Sequence, residues 1–424
     1  MIGAGLAGLS AAVELASAGV AVAVHEASPQ AGGRCRSYYD SALDMEIDNG
    51  NHLVLSGNHA TLAYAQRIGS RDKLGGPGSA TFPFIDLADM RRWTIRANDG
   101  LIPVWMFDKT RRAPGTSLFG HLELVKLLVA GRGKRVADVL SCKGPLWERL
   151  VEPFLVAALN IEAGQGSAAL AGQVVRETLA AGGHNYHPLI AREGLSNALV
   201  RPAVNYLTAR GGSVTFGRRL RGFAFGEGRV EALDFGEDRV ELGEGDAVVL
   251  AVPPQAAAPL VPGLTTPDAF CAIVNAHYRV APPPGLPEIT GIVGGLAQWL
   301  FAFPDRLSVT ISAADVWCDI AREELAARIW AEVAKVAGLQ GLPPRWQIVR
   351  ERRATFAATP AQDARRPGPK TRWANLALAG DWTQTRLPAT LEGAVRSGVS
   401  AAKSLGETVL GQPVLGQTVK VRSA

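Results

Sequence analysis

Gly3-Ala4-Gly5-Leu6-Ala7-Gly8 spaces its glycines as a dinucleotide-binding turn does. Between a strand and a helix, the missing side chains let a pyrophosphate rest against backbone N–H groups at the positive end of the helix. Glu26 follows Gly8 by 18 positions, at the end of an apolar run. There a carboxylate can accept hydrogen bonds from a ribose. In Gly32-Gly33-Arg34-Cys35-Arg36-Ser37, the glycines allow close backbone approach and Arg34 offers a planar fork to phosphate. Gly380-Asp381 ends another apolar run 372 positions after Gly8. A lone glycine turn is weak evidence, but these elements together fit one nucleotide.

Asp48-Asn49-Gly50-Asn51-His52 is a second run of small and polar residues, able to lie against a flat ring. Its histidine has the titration range that proton transfer needs, although packing against a cofactor is the plainer reading. Metal chemistry is not indicated. Cys35, Cys142, Cys271 and Cys318 lie far apart without a C-x-x-C pair, and read as reduced buried thiols of a cytoplasmic protein. The net charge is +5, yet Lys and Arg are spread along the chain, which argues against nucleic acid. No apolar run is long enough for a transmembrane helix, and the apolar start reads as part of the nucleotide fold rather than a signal peptide.

Positioning these residues takes alternating helices and strands. Residues 10–18 read as an alanine-rich helix, and 20–24 as a strand buried on both faces. Residues 211–242 read as strand and hairpin, 246–254 as a strand stopped by prolines, and 376–379 as a last strand delivering Gly380-Asp381. A helix follows from near Thr390. Two excursions interrupt this pattern. The first, 76–190, carries Trp93, Trp105, Phe107 and Phe119 with helical patterns at 122–129 and 146–159, a spacing suited to core or to a tunnel wall. The fold class is therefore α/β: a Rossmann-like domain from 1–75, 190–255 and 346–406, an interleaved α+β substrate domain from 76–189 and 256–345, and a tail at 407–424. Only Met1 and Ile2 precede Gly3, where a strand of about five residues is expected. A shortened first strand, or residues missing upstream, is the expectation.

Through GAGLAG, Glu26, GGRCRS, DNGNH, VVLAVPP and LALAGDW followed by LPATLEGAVRSG, the chain resembles the flavin-containing amine oxidase and carotenoid desaturase superfamily along essentially its whole length. Within it, Glu152-Pro153 with Ala157-Ala158-Leu159-Asn160, GIVGGLAQWL (291–300), LSVTISAAD (307–315) and residues 380–398 look most like the hydroxysqualene dehydroxylases of bacterial hopanoid and squalene biosynthesis. The resemblance implies non-covalent FAD, since no cysteine sits in the last-strand region. It implies that Gly3, Ala4, Gly5 and Gly8 touch the pyrophosphate, Glu26 the ribose, and Gly33 and Arg34 the phosphates or ribityl chain. Gly50, Asn51 and His52 would lie by the isoalloxazine. Leu220 would present its backbone to adenine, or be ordinary strand core. Gly380-Asp381 would hold a ribityl or phosphate group, and Thr390-Leu391 would offer helix N–H groups.

The same resemblance implies that an allylic hydroxyl leaves and reduced flavin delivers hydride to carbon, giving squalene. His52 is the candidate acid, and Asn160, Gln298 and Arg386 are candidates for orienting the hydroxyl. No second glycine turn follows a strand, so the sequence carries no site for a nicotinamide electron donor. A carotenoid-type desaturase shares the fold with hydride flowing the other way. An amine oxidase fits less well, because no lysine lies between Lys143 and Lys335 to hold a water by the flavin. A non-catalytic lipid carrier is the reading from another class. Residues 121–135 combine apolar residues with a basic end, as interfacial helices do, so peripheral membrane contact is a further expectation.

Overall fold

The computed structural model describes residues 1–408; most of the expected tail, from 409 onward, lies outside the described residues. Ile2 bridges in parallel to both His25 and Leu250. On one side Ala23–His25 pairs in parallel with Ser213–Thr215, and on the other Val248–Leu250 pairs in parallel with Leu376–Leu378. One parallel sheet is thus assembled from remote parts of the chain. Val24, Val248, Val249, Leu250 and Leu376 are all buried, as strands covered on both faces must be. The apolar run at 20–24 is only partly strand. Its partner Ser213–Thr215 is three residues long, so regular pairing is confined to Ala23–His25.

The Leu6–Ser17 helix leaves the glycine turn and packs along the C-terminal Leu391–Thr408 helix. Their closeness depends on Gly398, where a Cβ would stand 2.3 Å from the Ala7 carbonyl oxygen and 2.8 Å from the Ala11 nitrogen. This contact carries the last helix, and with it Thr390-Leu391, to the start of the first.

A mixed seven-stranded sheet forms the other half. Its order is Trp346–Phe356, Phe270–Tyr278, Arg306–Ile311, Trp299–Phe303, Ile289–Val293, Thr81–Asp86, Arg92–Arg96. All pairs are antiparallel except Ile289–Val293 with Thr81–Asp86, the seam where the two excursions meet. One boundary differs from the sequence reading. Residues 346–356 belong to this sheet, pairing with Phe270–Tyr278, and the nucleotide fold resumes only after them. Period-two burial does not tell which of two sheets a strand will join.

The first excursion also differs in detail. Trp93 and Trp105 are buried, whereas Phe107 and Phe119 are 67% and 78% exposed. The pattern at 122–129 splits into two short helices, Leu118–Leu122 and Val125–Leu128. That at 146–159 runs as a π-turn, Trp147–Val151, into the Glu152–Leu159 helix. Pro153 lacks the N–H that would continue regular α hydrogen bonding back across the junction.

An exposed helical Gly→Ala change would stabilise by about 1 kcal/mol. At Gly398 the sign should reverse, with Gly398→Ala losing about 1–3 kcal/mol by overpacking against the first helix. Denaturant unfolding of the two proteins checks this; a gain in stability would show that the helices have room to separate.

Candidate cofactor and substrate cavity

A cavity of about 1400 Å³ runs between the two sheets. That exceeds an ordinary small-ligand pocket of roughly 300–1,000 Å³ and leaves space for a nucleotide together with a second molecule. One part is lined by Gly3, Gly5, Glu26, Gly33, Arg34, Leu220, Gly380, Asp381, Thr390 and Leu391. Another is lined by apolar side chains, including Phe82, Phe84, Trp105, Leu124, Leu127, Phe154 and Trp299. Gly50, Asn51 and His52 also face it.

The nucleotide end is built from backbone. Gly3 has φ +100°, open to glycine at little cost, and a Cβ on Gly8 would stand 2.0 Å from the Gly3 carbonyl oxygen. The first turn of Leu6–Ser17 has no side-chain cap, so its leading N–H groups are free for an anion. Ala4 and Gly8, expected to touch the pyrophosphate, do not line the cavity. Ala4 donates its N–H to Glu26 Oε2 (2.7 Å), and Gly8 serves the tight return of the helix onto the turn. Glu26 Oε1 accepts from Ser28 N–H (2.8 Å), so the carboxylate is oriented by two backbone donors and keeps lone pairs for a hydroxyl. Neither backbone group of Leu220 has a hydrogen-bond partner among the described residues, although the residue is 7% exposed. An unpaired donor and acceptor of this kind suit the edge of a base. The donor set thus fits a dinucleotide cofactor.

Arg34, which lines the cavity, is also tied to the protein itself. Its guanidinium pairs with Asp381 Oδ1 (2.7 Å) and also donates to the Ala354 carbonyl oxygen, in the Trp346–Phe356 strand. Burial opposes its charge, but the carboxylates of Asp381 and, farther off, Glu351 outweigh that and raise its pKa. Beneath Asp381, the buried Arg366 donates to the carbonyls of Asp381 (3.1 Å) and Thr383 (2.5 Å) and to Thr385 Oγ1 (2.9 Å), fixing the loop. Glu392 accepts from Ala60 N–H (3.1 Å), Thr61 N–H (2.9 Å) and Thr61 Oγ1 (2.7 Å), so the last helix caps the His59–Arg67 helix.

Between the two ends lies a small polar shelf. Thr310 Oγ1 donates to Asn275 Oδ1 (2.8 Å), and Asn51 donates through Nδ2 to Thr310 (3.1 Å). Asn51 Oδ1 is left without a partner. His52 adjoins it; burial first, then the Arg34 charge, lowers its pKa to about 4. At neutral pH the ring is therefore uncharged, with one N–H to donate and one ring nitrogen to accept. Asn160 lines the cavity, but its amide is spent on Thr355 Oγ1 (2.9 Å), the Cys271 carbonyl (3.3 Å) and Ala313 N–H (2.7 Å). Gln298 and Arg386 do not line it. Gln298 closes both ends of its amide on the Ser312 backbone, and Arg386 is exposed on a loop with φ +67°. Sequence reasoning missed Asn275, Thr310, Glu351 and Arg366. Asn275 had a signal, a lone amide in the apolar stretch Phe270–Tyr278; Arg366 had none.

A family model described as flavin containing amine oxidoreductase matches residues 6–405. Hydroxysqualene dehydroxylase of Rhodopseudomonas palustris is 59% identical over 403 residues, covering 95% of this chain and 96% of that protein. The protein of the same name from Sinorhizobium fredii is 54% identical over 409 residues, covering 96% and 98%. Among solved structures, cyclohexylamine oxidase from Brevibacterium oxydans matches with a TM-score of 0.66 at 16% identity, over 96% of this chain and 98% of that one. That last likeness speaks to the fold. The chain belongs to the flavin-containing amine oxidoreductase family, and a flavin is the group its nucleotide cradle takes.

If Arg34 and Asp381 hold the cradle as a pair, Arg34→Ala and Asp381→Asn should each weaken flavin binding by about tenfold or more. Their effects should couple by about 1 kcal/mol, the guanidinium being partly open to the cavity. Flavin titration across the double-mutant cycle reads this; strictly additive losses would mean that the two act separately.

Proposed function

We propose that the chain binds FAD non-covalently and uses its reduced form to convert hydroxysqualene to squalene. The observation that carries this reading is the single cavity joining a nucleotide cradle to a chamber of aromatic and aliphatic side chains. A thirty-carbon substrate without charge is held by buried area, at about 25 cal/mol per Å², and needs such a chamber more than it needs specific polar contacts. The high identity to proteins named hydroxysqualene dehydroxylase supports the same assignment. No lysine lines the cavity among the described residues, which speaks against an amine oxidase site of the kind weighed from the sequence.

Non-covalent binding is supported by the thiols. All four cysteines are free, and only Cys35 reaches the cavity lining, where burial pushes its pKa far up and keeps it an unreactive thiol. Bound reduced FAD supplies the hydride that replaces the allylic hydroxyl. The protein's own part is to exclude water, to lay the apolar chain along Phe84, Phe154 and Trp299, and to meet the one polar group of the substrate. The shelf of Asn51, Thr310 and Asn275 beside His52 is the polar surface placed for that hydroxyl. Neutral His52 hydrogen-bonds the departing oxygen rather than protonating it as an imidazolium. The hydroxyl departs as water, taking one proton drawn from the solvent, so that one hydride and one proton are consumed for each hydroxyl lost.

Anaerobic incubation of FAD-loaded protein with hydroxysqualene and dithionite should yield squalene, and denaturation should release all the FAD. Desaturation of phytoene with an added oxidant, and no squalene, would instead assign the reverse hydride flow.

His52→Ala should keep FAD while slowing turnover by about tenfold to a hundredfold. With a pKa near 4, His52 stays neutral from pH 5.5 to 8, so its loss should not remove any limb of the pH–rate profile there. A wild-type limb near pH 6.5 that disappears in His52→Ala would show a charged imidazolium at work.

A further inference from the structure

We infer that the outer face of residues 101–135 is a docking surface for an anionic lipid bilayer, placed so that substrate enters the cavity from the membrane. This deepens the proposed function and rests on it for the apolar character of the substrate. Thirteen large apolar side chains are exposed among the described residues, and eight of them fall between Leu101 and Val129. Leu101, Ile102, Phe107, Phe119, Leu122 and Val129 are each 57–81% exposed. Scattered singly, such residues need no explanation; gathered on one segment they mark a contact surface.

The segment is continuous in space. The Val104–Phe107 turn is tied to the Leu118–Leu122 helix by Trp105 and His121, whose rings meet edge to face at 5.8 Å. It is also two-faced. Leu122, Val125 and Val129 point outward, while Leu124 and Leu127 are buried and line the cavity, as does Trp105. One thin layer of side chains therefore separates the apolar chamber from the exposed apolar face.

Charge selects the occupant. Residues 101–135 hold seven Lys and Arg against two Asp and Glu, an excess equal to the +5 of the entire chain. Lys109, Lys126, Arg132 and Lys134 are exposed around the apolar side chains. An apolar patch rimmed by cations matches the acyl boundary and anionic headgroups of a bilayer. A second copy of the chain would bring the same positive rim against itself. No helix among the described residues is long and apolar enough to cross a membrane, so the contact is made at the surface.

The test is flotation of the flavin-loaded full chain, without substrate, on phosphatidylcholine vesicles with or without phosphatidylglycerol. The expected result is co-migration with the phosphatidylglycerol vesicles at low salt, weakening as salt rises. Phe119→Asp with Val129→Asp should lower vesicle binding by about tenfold or more, and Arg132→Glu with Lys134→Glu should do the same. Both variants should retain wild-type melting and flavin content, which excludes misfolding as the cause. Failure of the wild type to float would overturn the inference. So would undiminished binding by both variants, or an aspartate-sensitive dimer that ignores vesicles. Because no substrate is present, such a failure leaves hydroxysqualene reduction standing, and failed turnover with intact flotation would fault the chemistry alone.

Discussion

One ion pair joins what the chain separates most widely. Arg34 lies just after the first strand, helix and turn, and Asp381 at the end of the last strand, yet they meet at 2.7 Å. The same guanidinium reaches the Ala354 carbonyl in the seven-stranded sheet, so three distant segments converge on one side chain. The packing of Leu6–Ser17 on Leu391–Thr408 at Gly398 makes this meeting close enough. Closure of a loop this long costs only slowly more entropy with length, but it must be offset by contacts made at its ends. In this protein those contacts are also the walls of the cofactor site. Stability and cofactor binding are consequently linked: a flavin bound only by the folded chain favours folding by mass action.

Chemistry divides the cavity in two. At the nucleotide end, backbone N–H groups, an oriented Glu26 and a glycine-lined turn supply directional, polar recognition. Toward Phe84, Phe154 and Trp299 the walls offer area without direction, suited to a long hydrocarbon. The shelf of Asn51, Thr310 and Asn275 marks the border, and the unpaired Asn51 Oδ1 is the kind of buried polar atom that a ligand satisfies. His52 sits at this border as a neutral ring because burial and the Arg34 charge both disfavour its protonation. The residue that secures the cradle thus adds to burial in keeping His52 unprotonated.

Much of this was legible in the sequence, for a physical reason. Glycine spacing, a strand-end carboxylate and the GDW segment report backbone conformations that few other residues allow, so local sequence determines them. The nucleotide fold and most of its lining could be read in that way. Ala4 and Gly8 were placed on the ligand because the motif was read as a set of contacts, whereas two of its members serve the turn itself. The pairing of Arg34 with Asp381 was not foreseen, because the two are remote in the chain and pairing across such a distance leaves no local trace. Gln298 and Arg386 looked available as polar residues near family-like segments, but side-chain polarity does not say whether backbone has already consumed it. Phe107 and Phe119 were expected with the other aromatics of this excursion in core or a tunnel wall, and both are exposed. Periodicity shows that a segment has two faces, and does not show what the second face meets.

In the proposed reaction, a flavin held where the chain ends converge gives its hydride to an apolar alcohol lodged in the adjoining chamber. Its most direct test is an anaerobic single turnover, with photoreduced enzyme mixed with one equivalent of hydroxysqualene and no other reductant. Oxidised-flavin absorbance should return as squalene forms, one molecule for each flavin. A flavin that stays reduced while the alcohol persists would contradict the account.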